Sequence, residues 1–394
     1  SRMKINMTEK TSVEKTWKAY LNKIEPADRT AMELAKKRWN SVAKPIGSLG
    51  ILEEDIIKIA GIRGNASGMK LDRSALAVMC ADHGVVAEGV SQTGKDVTRI
   101  VAENFTKGET STSKMCRISG TDLYPVDMGM DCEPTGQKEP DMHRILDRKV
   151  ARGSGNIARE PAMSRTGCLQ ALLSGIDLAF RLKEMGYKIL AAGEMGIGNT
   201  TPAAAMSAVL TGLPPEEATG RGAGLSDAGL EKKKKAVEMA VSRFYEKYPE
   251  YRNGTKEQYE SGELSAATVL AELGGFDLAG MTGLFLGGAA AKIPVLMDGF
   301  LSTVSGLLAV LIRKEAKDYM LASHISTEPA GAAILQMLDL PAPLNMGMHL
   351  GEGSGAVAMI PLLRMGAKVY EEMSTFSDIS VEQYVDYQEK GERP

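Results

Sequence analysis

The stretch YKILAAGEMGIGNTTPAAA, residues 187–205, contains in order an apolar run, a glycine-rich turn and an alanine-rich segment. This order is typical of a β-strand that leads through a tight turn into a helix. Four other apolar runs lie between helix-compatible stretches: SALAVMCAD (74–82), TDLYPVDMG (121–129), KIPVLMDGF (292–300) and DYMLASHIS (318–326). Strands that alternate with helices indicate βα units. The sequence therefore predicts an α/β fold with a Rossmann-like, mainly parallel sheet flanked by helices.

Each of the five apolar runs contains, at or near its end, an ionisable residue: Asp82, Asp127, Glu194, Asp298 and His324. In an open parallel sheet, ligands bind beyond the carboxyl ends of the strands. We therefore expect these residues to assemble one site along that edge. Any single one of them can also be explained as the point where a strand reaches water.

The two ends of the chain are more polar than its centre. Within residues 1–43 a narrow apolar stripe at helical spacing is formed by Trp17, Tyr20, Leu21 and Ile24. Residues 374–394 repeat such a spacing with Val381, Tyr384 and Tyr387. We expect these two segments to form a small helical domain beside a main domain of residues 44–373. The polar stretch 244–265 shows little apolar periodicity, which predicts an excursion from the fold.

The composition excludes several classes of protein. Of the 394 residues, 43% are hydrophobic and 25% are charged, which is ordinary for a globular protein. The net charge of −3 is unlike that of nucleic-acid-binding domains, whereas a small phosphorylated ligand needs only a local positive pocket. The most apolar run, GLLAVLI at 306–312, is too short to span a membrane. Because residues 1–15 also lack the apolar core of a signal peptide, we expect a cytoplasmic protein.

Metal ligands and disulfides are not expected. The cysteines are far apart and form no CxxC pair: Cys80, Cys116, Cys132 and Cys168. The segments ADHGVVAEGVS (81–91) and SHISTEPAG (323–331) carry histidines and carboxylates, but not at HxxxH or HxH spacing. A Ser-His-Asp triad is possible by composition, although the chain has no GxSxG elbow. We therefore expect reduced thiols, no metal and no cofactor.

Two glycine-rich turns predict a phosphate site. The first leads into the helix after residue 201 and comprises Gly196, Ile197, Gly198, Asn199, Thr200 and Thr201. Free N–H groups at a helix start suit a phosphate, although a tight turn with a threonine cap explains the same letters. The second, GRGAGLSDAGLEKKKKA (220–236), places Arg221 and Gly222 before a helix that Ser226 or Asp227 caps. We expect most of the lysines 232–235 to be exposed to solvent, while one of them could neutralise a phosphate.

The segment LGEGSGAVAMIPLL (350–363) places Glu352 between two glycines, immediately before an apolar helix. Burial of a carboxylate in an apolar pocket raises its pKa, which is the condition for a general acid or base near neutral pH. The alternative is a glutamate that only satisfies the backbone donors of the helix start.

Taken together, several segments resemble one enzyme family, the nicotinate-nucleotide–dimethylbenzimidazole phosphoribosyltransferases of cobamide assembly. The segments that carry the resemblance are KPIGSLGILEE (44–54), ADHGVVAEGVS, GEMGIGNTTPAAA (193–205), GRGAGLSDAGL, GGFDLAGMTGLFLGGAAAKIPVLMDGF (274–300), SHISTEP and LGEGSGA. The resemblance runs in order from about Lys44 to Phe376. It implies transfer of the 5-phosphoribosyl group of nicotinate mononucleotide to a benzimidazole nitrogen, with inversion from β to α at the anomeric carbon. It also implies a dimer.

The resemblance assigns roles to individual residues. Glu352 is implied as the base that removes the acceptor's N–H proton, and Glu194 as an assisting glutamate near the ribose and acceptor. The turn 196–201 and Lys233 would hold the phosphate, and Asp298 and Ser326 would line the nucleotide pocket. The remaining residues implied to bind substrate are Asp82, Ser91, Lys95, Arg221, Gly222 and Leu350.

Three departures from the family pattern put the acceptor in question. In the segment QTGKDVT (92–98), Lys95 stands where a glutamine is expected and Thr93 replaces an aromatic residue. His349 stands where arginine is usual, and the insertion around 244–265 is longer than the family pattern predicts. A lysine could stabilise a phenolate, so transfer to phenol or p-cresol is an alternative, and related subunits can work in pairs. Two further alternatives remain at this point: a subunit that keeps the fold while a partner catalyses, and an unrelated hydrolase that uses a serine or a metal.

Overall fold

In the computed structural model, which describes residues 10–385, six strands form one sheet. The strands are β1 (Ser74–Ala81), β2 (Thr121–Gly129), β3 (Leu146–Asp147), β4 (Ile189–Met195), β5 (Val295–Met297) and β6 (Met320–Ala322). Their spatial order is β3-β2-β1-β4-β5-β6, and all neighbouring pairs are parallel. This confirms the predicted Rossmann-like α/β sheet. The strand order reverses between β1 and β4, the position at which such sheets open a ligand crevice.

Helices cover both faces of this sheet. Their bounds are α1 (Lys10–Leu21), α2 (Arg29–Ser41), α3 (Ile51–Arg63), α4 (Asp96–Lys107), α5 (Ser111–Ser119), α6 (Arg165–Glu184), α7 (Thr200–Thr211), α8 (Pro215–Ala218), α9 (Asp227–Lys247), α10 (Lys256–Ser261), α11 (Ala266–Leu273), α12 (Phe276–Ala291), α13 (Phe300–Ile312), α14 (Gly331–Leu338) and α15 (Ser354–Glu372). Short 3-10 helices span Gly84–Glu88, Pro249–Asn253 and Lys314–Tyr319.

Strand β1 shows why this sequence forms a two-sided core. All eight of its residues are buried, as expected for a central parallel strand. Ala75, Ala77 and Met79 contribute to the core beneath one face, which includes α6 and α12. The alternate residues contribute to a second core beneath α3 and α15. The period of two therefore divides one apolar run between two hydrophobic layers.

Glycine allows α6 and α12 to pack closely. A Cβ built at Gly175 would overlap the carbonyl of Gly280 on α12, and one built at Gly287 would lie 2.7 Å from the Cα of Ile176. Larger side chains at these positions would push the two helices apart. The abundance of glycine, 42 residues, is partly explained by this backbone contact.

The described parts of the two terminal segments meet near residues 42 and 375, but not as two paired helices. Helix α1 packs through Trp17 and Tyr20 onto the main core, as the apolar stripe indicates. Val42 and Thr375 form an antiparallel bridge, and the Phe376 N–H donates to Ser41 O at 3.0 Å. Residues 374–385 contain no helix, so the predicted helix is wrong for Val381 and Tyr384. Tyr387 lies outside the described residues, and the proposed domain division stays a prediction.

The segment 244–265 is not an excursion. It begins in the last turn of α9 and adds a 3-10 helix and α10. Phe244, Tyr251 and Tyr259 are buried, with ring centroids 5.1 Å apart for the first two and 6.0 Å for the last two. The aromatic residues of this polar segment are irregularly spaced, so the sequence pattern did not indicate that they form a buried cluster. Within residues 10–385, no helix is both long and apolar enough to cross a membrane.

Candidate active site

A cavity of about 360 Å³ opens at the carboxyl ends of β4, β5 and β6, beside the loop that follows β1. The predicted site residues that line it are Ser91, Glu194, Gly196, Ile197, Gly198, Asn199, Thr200, Arg221, Gly222, Ser326, Leu350 and Glu352. Three others lie in the surrounding structure and are buried: Thr201, Lys233 and Asp298. Of the five strand-end residues expected to form one site, three therefore lie at or beside this cavity: Glu194, Asp298 and His324.

Two of the five strand-end residues lie elsewhere. Asp127 is buried and forms an ion pair with Lys149 at 2.9 Å. Asp82 accepts a hydrogen bond from the Asp131 N–H at 2.6 Å and borders a neighbouring cleft. These residues are used to stabilise loops at the β1–β2 side of the sheet.

Lys95 also borders the neighbouring cleft and not the cavity. Its ammonium group forms an ion pair with Asp131, and this hydrogen bond raises the pKa of Lys95. The residues that do reach the cavity from this loop are Val90, Ser91, Gln92 and Thr93.

The turn between β4 and α7 has the geometry of an anion cradle. Gly198 adopts a left-handed conformation with φ +85°, and the Asn199 and Thr201 N–H groups close the turn on Gly196 O and Gly198 O. Helix α7 begins directly afterwards at Thr200, so the positive end of its dipole lies at the cavity.

A buried cation, Lys233, lies beside this turn. Its Nζ donates to Thr200 Oγ1 and to Gly220 O, each at 2.8 Å. Burial lowers the pKa of Lys233 to about 8. The other lysines of the run are at least partly exposed, and Ser226 caps α9 by accepting from the Gly229 N–H at 3.2 Å. Lys233 shares a helix face with Ala236, Val237 and Ala240, a spacing that could have singled it out from the sequence.

Glu352 lies in a strained backbone segment at the cavity wall. Its φ is +60°, between Gly351 at +84° and Gly353 at +81°. A left-handed conformation is unfavourable for a residue with a Cβ, and such strained residues are enriched at functional sites. The Thr112 hydroxyl donates to Glu352 Oε2 at 3.0 Å. Burial, and secondarily the charge of Asp298, raise the pKa of Glu352.

Asp298 performs the capping that the sequence left open as an alternative role for Glu352. Its two carboxylate oxygens accept from the Gly353 N–H at 3.0 Å and the Gly355 N–H at 2.7 Å, at the start of α15. The backbone donors of this helix start are therefore satisfied without Glu352. The Glu352 carboxylate remains available to a ligand in the cavity.

Glu194 is the last but one residue of β4, and a Cβ built at Gly351 would overlap its carboxylate. Burial raises the pKa of Glu194 to about 8; the charges of Asp277, Asp298 and Glu352 act in the same direction, and a hydrogen bond from Asn199 opposes them. The site thus holds two carboxylates in different surroundings, a condition that separates acid and base roles.

His324, which the sequence placed at this edge of the sheet, borders the cavity, and its Nδ1 lies 3.1 Å from Ser323 Oγ. Sequence reasoning did not single out two other residues at the site. Glu328 accepts from the Gly222 N–H at 2.9 Å, directly at the proposed phosphate cradle. Thr112 is separated from Glu352 by 240 positions, and no local pattern relates the two.

Comparison with known proteins gives a consistent result. The family model that matches residues 24–381 is described as a phosphoribosyltransferase. The chain is 38% identical over 369 residues to the nicotinate-nucleotide–dimethylbenzimidazole phosphoribosyltransferase of Ruminiclostridium cellulolyticum, covering 94% of this chain and 99% of that protein. The enzyme of the same name from Yersinia enterocolitica is 39% identical over 367 residues, or 93% and 98% of the two chains. The crystal structure of CobT from Thermus thermophilus superposes with a TM-score of 0.80 at 37% identity, covering 90% of this chain and 100% of that one.

Proposed function

The chain belongs to the nicotinate-nucleotide–dimethylbenzimidazole phosphoribosyltransferase family, and from this premise we propose the reaction that its cavity performs. The enzyme transfers the 5-phosphoribosyl group of nicotinate mononucleotide to a cobamide lower-ligand base such as 5,6-dimethylbenzimidazole. The products are α-ribazole 5′-phosphate and nicotinate. Attack from the face opposite to nicotinate inverts the anomeric carbon.

The phosphate of the nucleotide binds at the start of α7. Support comes from the Gly196–Thr200 turn, which lines one end of the cavity, and from the buried ammonium of Lys233, which donates to Thr200 Oγ1 behind that turn. Lys233 uses two of its three N–H groups on Thr200 and Gly220, so one remains for a phosphate oxygen. A charge-assisted hydrogen bond of this kind is worth about 1.5–3 kcal/mol.

The acceptor loses its proton to Glu352. Nicotinate leaves from a pyridinium that is already cationic, so the leaving group needs no acid. The benzimidazole attacks with one ring nitrogen and must lose the proton on the other. A half-buried carboxylate with a raised pKa, not used by the helix it precedes, is suited to accept that proton.

Glu194 and the remaining cavity residues hold the sugar and the two rings in line. Ser91, Ser326 and Leu350 border the cavity, while Asp298 fixes the loop that carries Glu352. Positioning of two reactants can contribute as much to the rate as proton transfer does.

A benzimidazole fits this arrangement better than a phenol. The residue that suggested a phenolate, Lys95, is paired with Asp131 and borders the neighbouring cleft. We propose that the enzyme works in the cytoplasm, without metal or cofactor, and as a homodimer; light scattering of the purified protein tests the oligomeric state.

One observation carries the proposal: a half-buried carboxylate, Glu352, faces the same cavity as a glycine turn at a helix start with a buried lysine behind it. The test is turnover of nicotinate mononucleotide with benzimidazoles, purines and phenols in excess chelator. Nicotinate release and the anomeric configuration of the product are measured by chromatography and NMR.

Glu352→Gln is expected to lose about 10²–10⁴-fold of the nicotinate release, the usual contribution of a general base. The matched control is Glu217→Gln, because Glu217 is exposed and lies outside the cavity. An unchanged rate in Glu352→Gln would remove Glu352 as the base. No nicotinate release by the parent enzyme with any acceptor would refute the proposed reaction.

A further inference from the structure

A buried histidine–aspartate pair lies beneath the phosphate turn, outside the cavity. Asp277, in the first turn of α12, is fully buried. Nε2 of His83 lies 3.0 Å from Asp277 Oδ1 and 3.1 Å from Oδ2. Nδ1 of His83 is buried and has no hydrogen-bond partner among residues 10–385. Because Nε2 faces a carboxylate, it is the ring nitrogen that donates to Asp277.

Asn199 connects this pair to Glu194. It stands at the N-cap position of α7, yet its side chain makes no capping bond. Instead its Nδ2 donates both to Glu194 Oε2 and to Asp277 Oδ2, the latter at 3.1 Å. The amide nitrogen must face these two oxygens, since only an N–H can donate to carboxylates. A continuous chain of hydrogen bonds thus runs from His83 through Asp277 and Asn199 to the cavity.

Close packing holds this chain rigidly. A Cβ at Gly196 would lie 2.8 Å from Asp277 Oδ2 and 3.1 Å from His83 Nε2. A Cβ at Gly275 would lie 2.8 Å from His83 Nδ1. The backbone of the phosphate turn therefore rests directly on the pair. The pair cannot shift without moving the turn.

We propose that Asp277, supported by His83, is a positioning residue that orients Glu194 toward the sugar and keeps it protonated while Glu352 acts as the base. This inference rests on the proposed function. A protonated Glu194 can donate a hydrogen bond from the oxygen that Asn199 leaves free. It also avoids a second negative charge beside Glu352, so the two glutamates divide the acid and base roles.

The electrostatics of the cluster support this division. The charged groups that act on Glu194 are Asp277, Asp298 and Glu352, all acidic. The histidines in the cluster, His83 and His324, lie against Asp277 and Asp298 respectively. Burial brings the pKa of Glu194 to about 8, and the negative charge of Asp277 acts in the same direction. Loss of that charge should allow Glu194 to ionise at lower pH.

Asp277→Asn tests this directly, because the change removes the charge and keeps the shape. We expect the alkaline limb of the kcat profile, which reports deprotonation of Glu194, to move to lower pH by about one unit. We expect kcat to fall about tenfold, while KM for nicotinate mononucleotide stays within about twofold, because the phosphate cradle is not changed. An alkaline limb that stays in place in a folded Asp277→Asn protein would overturn the inference.

A pair of variants at His83 keeps the test decisive if Asp277→Asn does not fold. His83→Gln retains an N–H for Asp277 and should preserve the profile of the parent. His83→Leu lacks that donor, so the support of Asp277 is lost and the alkaline limb should move in the same direction as in Asp277→Asn. Equal profiles for the two His83 variants would contradict a positioning role. The proposed reaction is judged separately, by turnover of the parent enzyme and its loss in Glu352→Gln.

Discussion

Lys233→Met is expected to weaken nucleotide binding and, near neutral pH, to stabilise the fold. The ammonium is fully buried and its pKa is lowered by burial from the ordinary 10.5 to about 8. At pH 7 it is charged in the folded and the unfolded chain, so the folded state bears the desolvation of the charge. This lowering of the Lys233 pKa corresponds to a desolvation free energy of roughly 3 kcal/mol. Methionine removes that cost but leaves Gly220 O without its donor, which costs about 1–2 kcal/mol. The net gain in the free energy of unfolding is then about 1–2 kcal/mol.

The sign of the pH dependence follows from the same pKa. Between pH 8 and 10.5 the unfolded chain binds a proton at Lys233 that the folded chain does not. The free energy of unfolding of the parent enzyme therefore gains a favourable contribution from Lys233 as pH rises through this range. The advantage of Lys233→Met should shrink over the same range. KM for nicotinate mononucleotide should rise about 10- to 100-fold at pH 7, equivalent to the loss of one charge-assisted hydrogen bond.

Two assays test the expected effects of Lys233→Met on nucleotide binding and on stability. Initial rates of nicotinate release give KM, and urea unfolding at pH 7 and pH 9.5 gives the free energies. Lys235→Met is the matched control, because Lys235 belongs to the same lysine run and is exposed. The reasoning is refuted if KM changes less than about twofold, or if Lys233→Met is less stable than the parent at pH 7 with no dependence on pH.

Three further changes test the surroundings of the base and the cradle. Thr112→Val removes the hydroxyl that donates to Glu352 at 3.0 Å, so the pKa of Glu352 should rise further. The acid limb of the kcat/KM profile should then move to higher pH. An acid limb that does not move contradicts Glu352 as the base. Asp298→Ala removes the cap of α15; urea unfolding should show a loss of about 2 kcal/mol, and an unchanged stability would mean that the cap contributes nothing. Glu328→Gln removes the negative charge of the side chain that accepts from the Gly222 N–H. KM for nicotinate mononucleotide should fall several-fold, and inhibition by inorganic phosphate should strengthen. A raised KM would show that Glu328 itself binds the nucleotide.

The sequence predicts the frame of this fold well because the central strands are long and apolar. Strands β1, β2 and β4 coincide with their apolar runs, whereas β5 and β6 each occupy only three residues of the nine that were expected. The two-residue β3 is too short to show a periodic pattern, and only its pairing with Val126 and Asp127 of β2 identifies it as a strand. The aromatic residues of 244–259 were not recognised as a buried cluster because their spacing fits neither a helix nor a strand throughout.

The site residues also fall into those that the sequence identifies and those that only the structure identifies. The glycine turn and Glu352 stand out because their neighbours are unusual: glycines with positive φ and a helix start. Asp277 and Thr112 act on the site only through long-range contacts, to Asn199 and Glu352, that no local pattern records. The division of labour between Asp298 and Glu352 at the start of α15 required coordinates, since both residue types can cap a helix.

A crystal structure with bound α-ribazole 5′-phosphate tests the central claim most directly. The account expects the carboxyl of Glu352 within hydrogen-bond distance, about 3 Å, of the benzimidazole nitrogen that is not joined to the sugar. It also expects the phosphate against the 196–201 turn and Lys233. A product whose free ring nitrogen faces solvent, or whose phosphate lies away from that turn, would contradict the account.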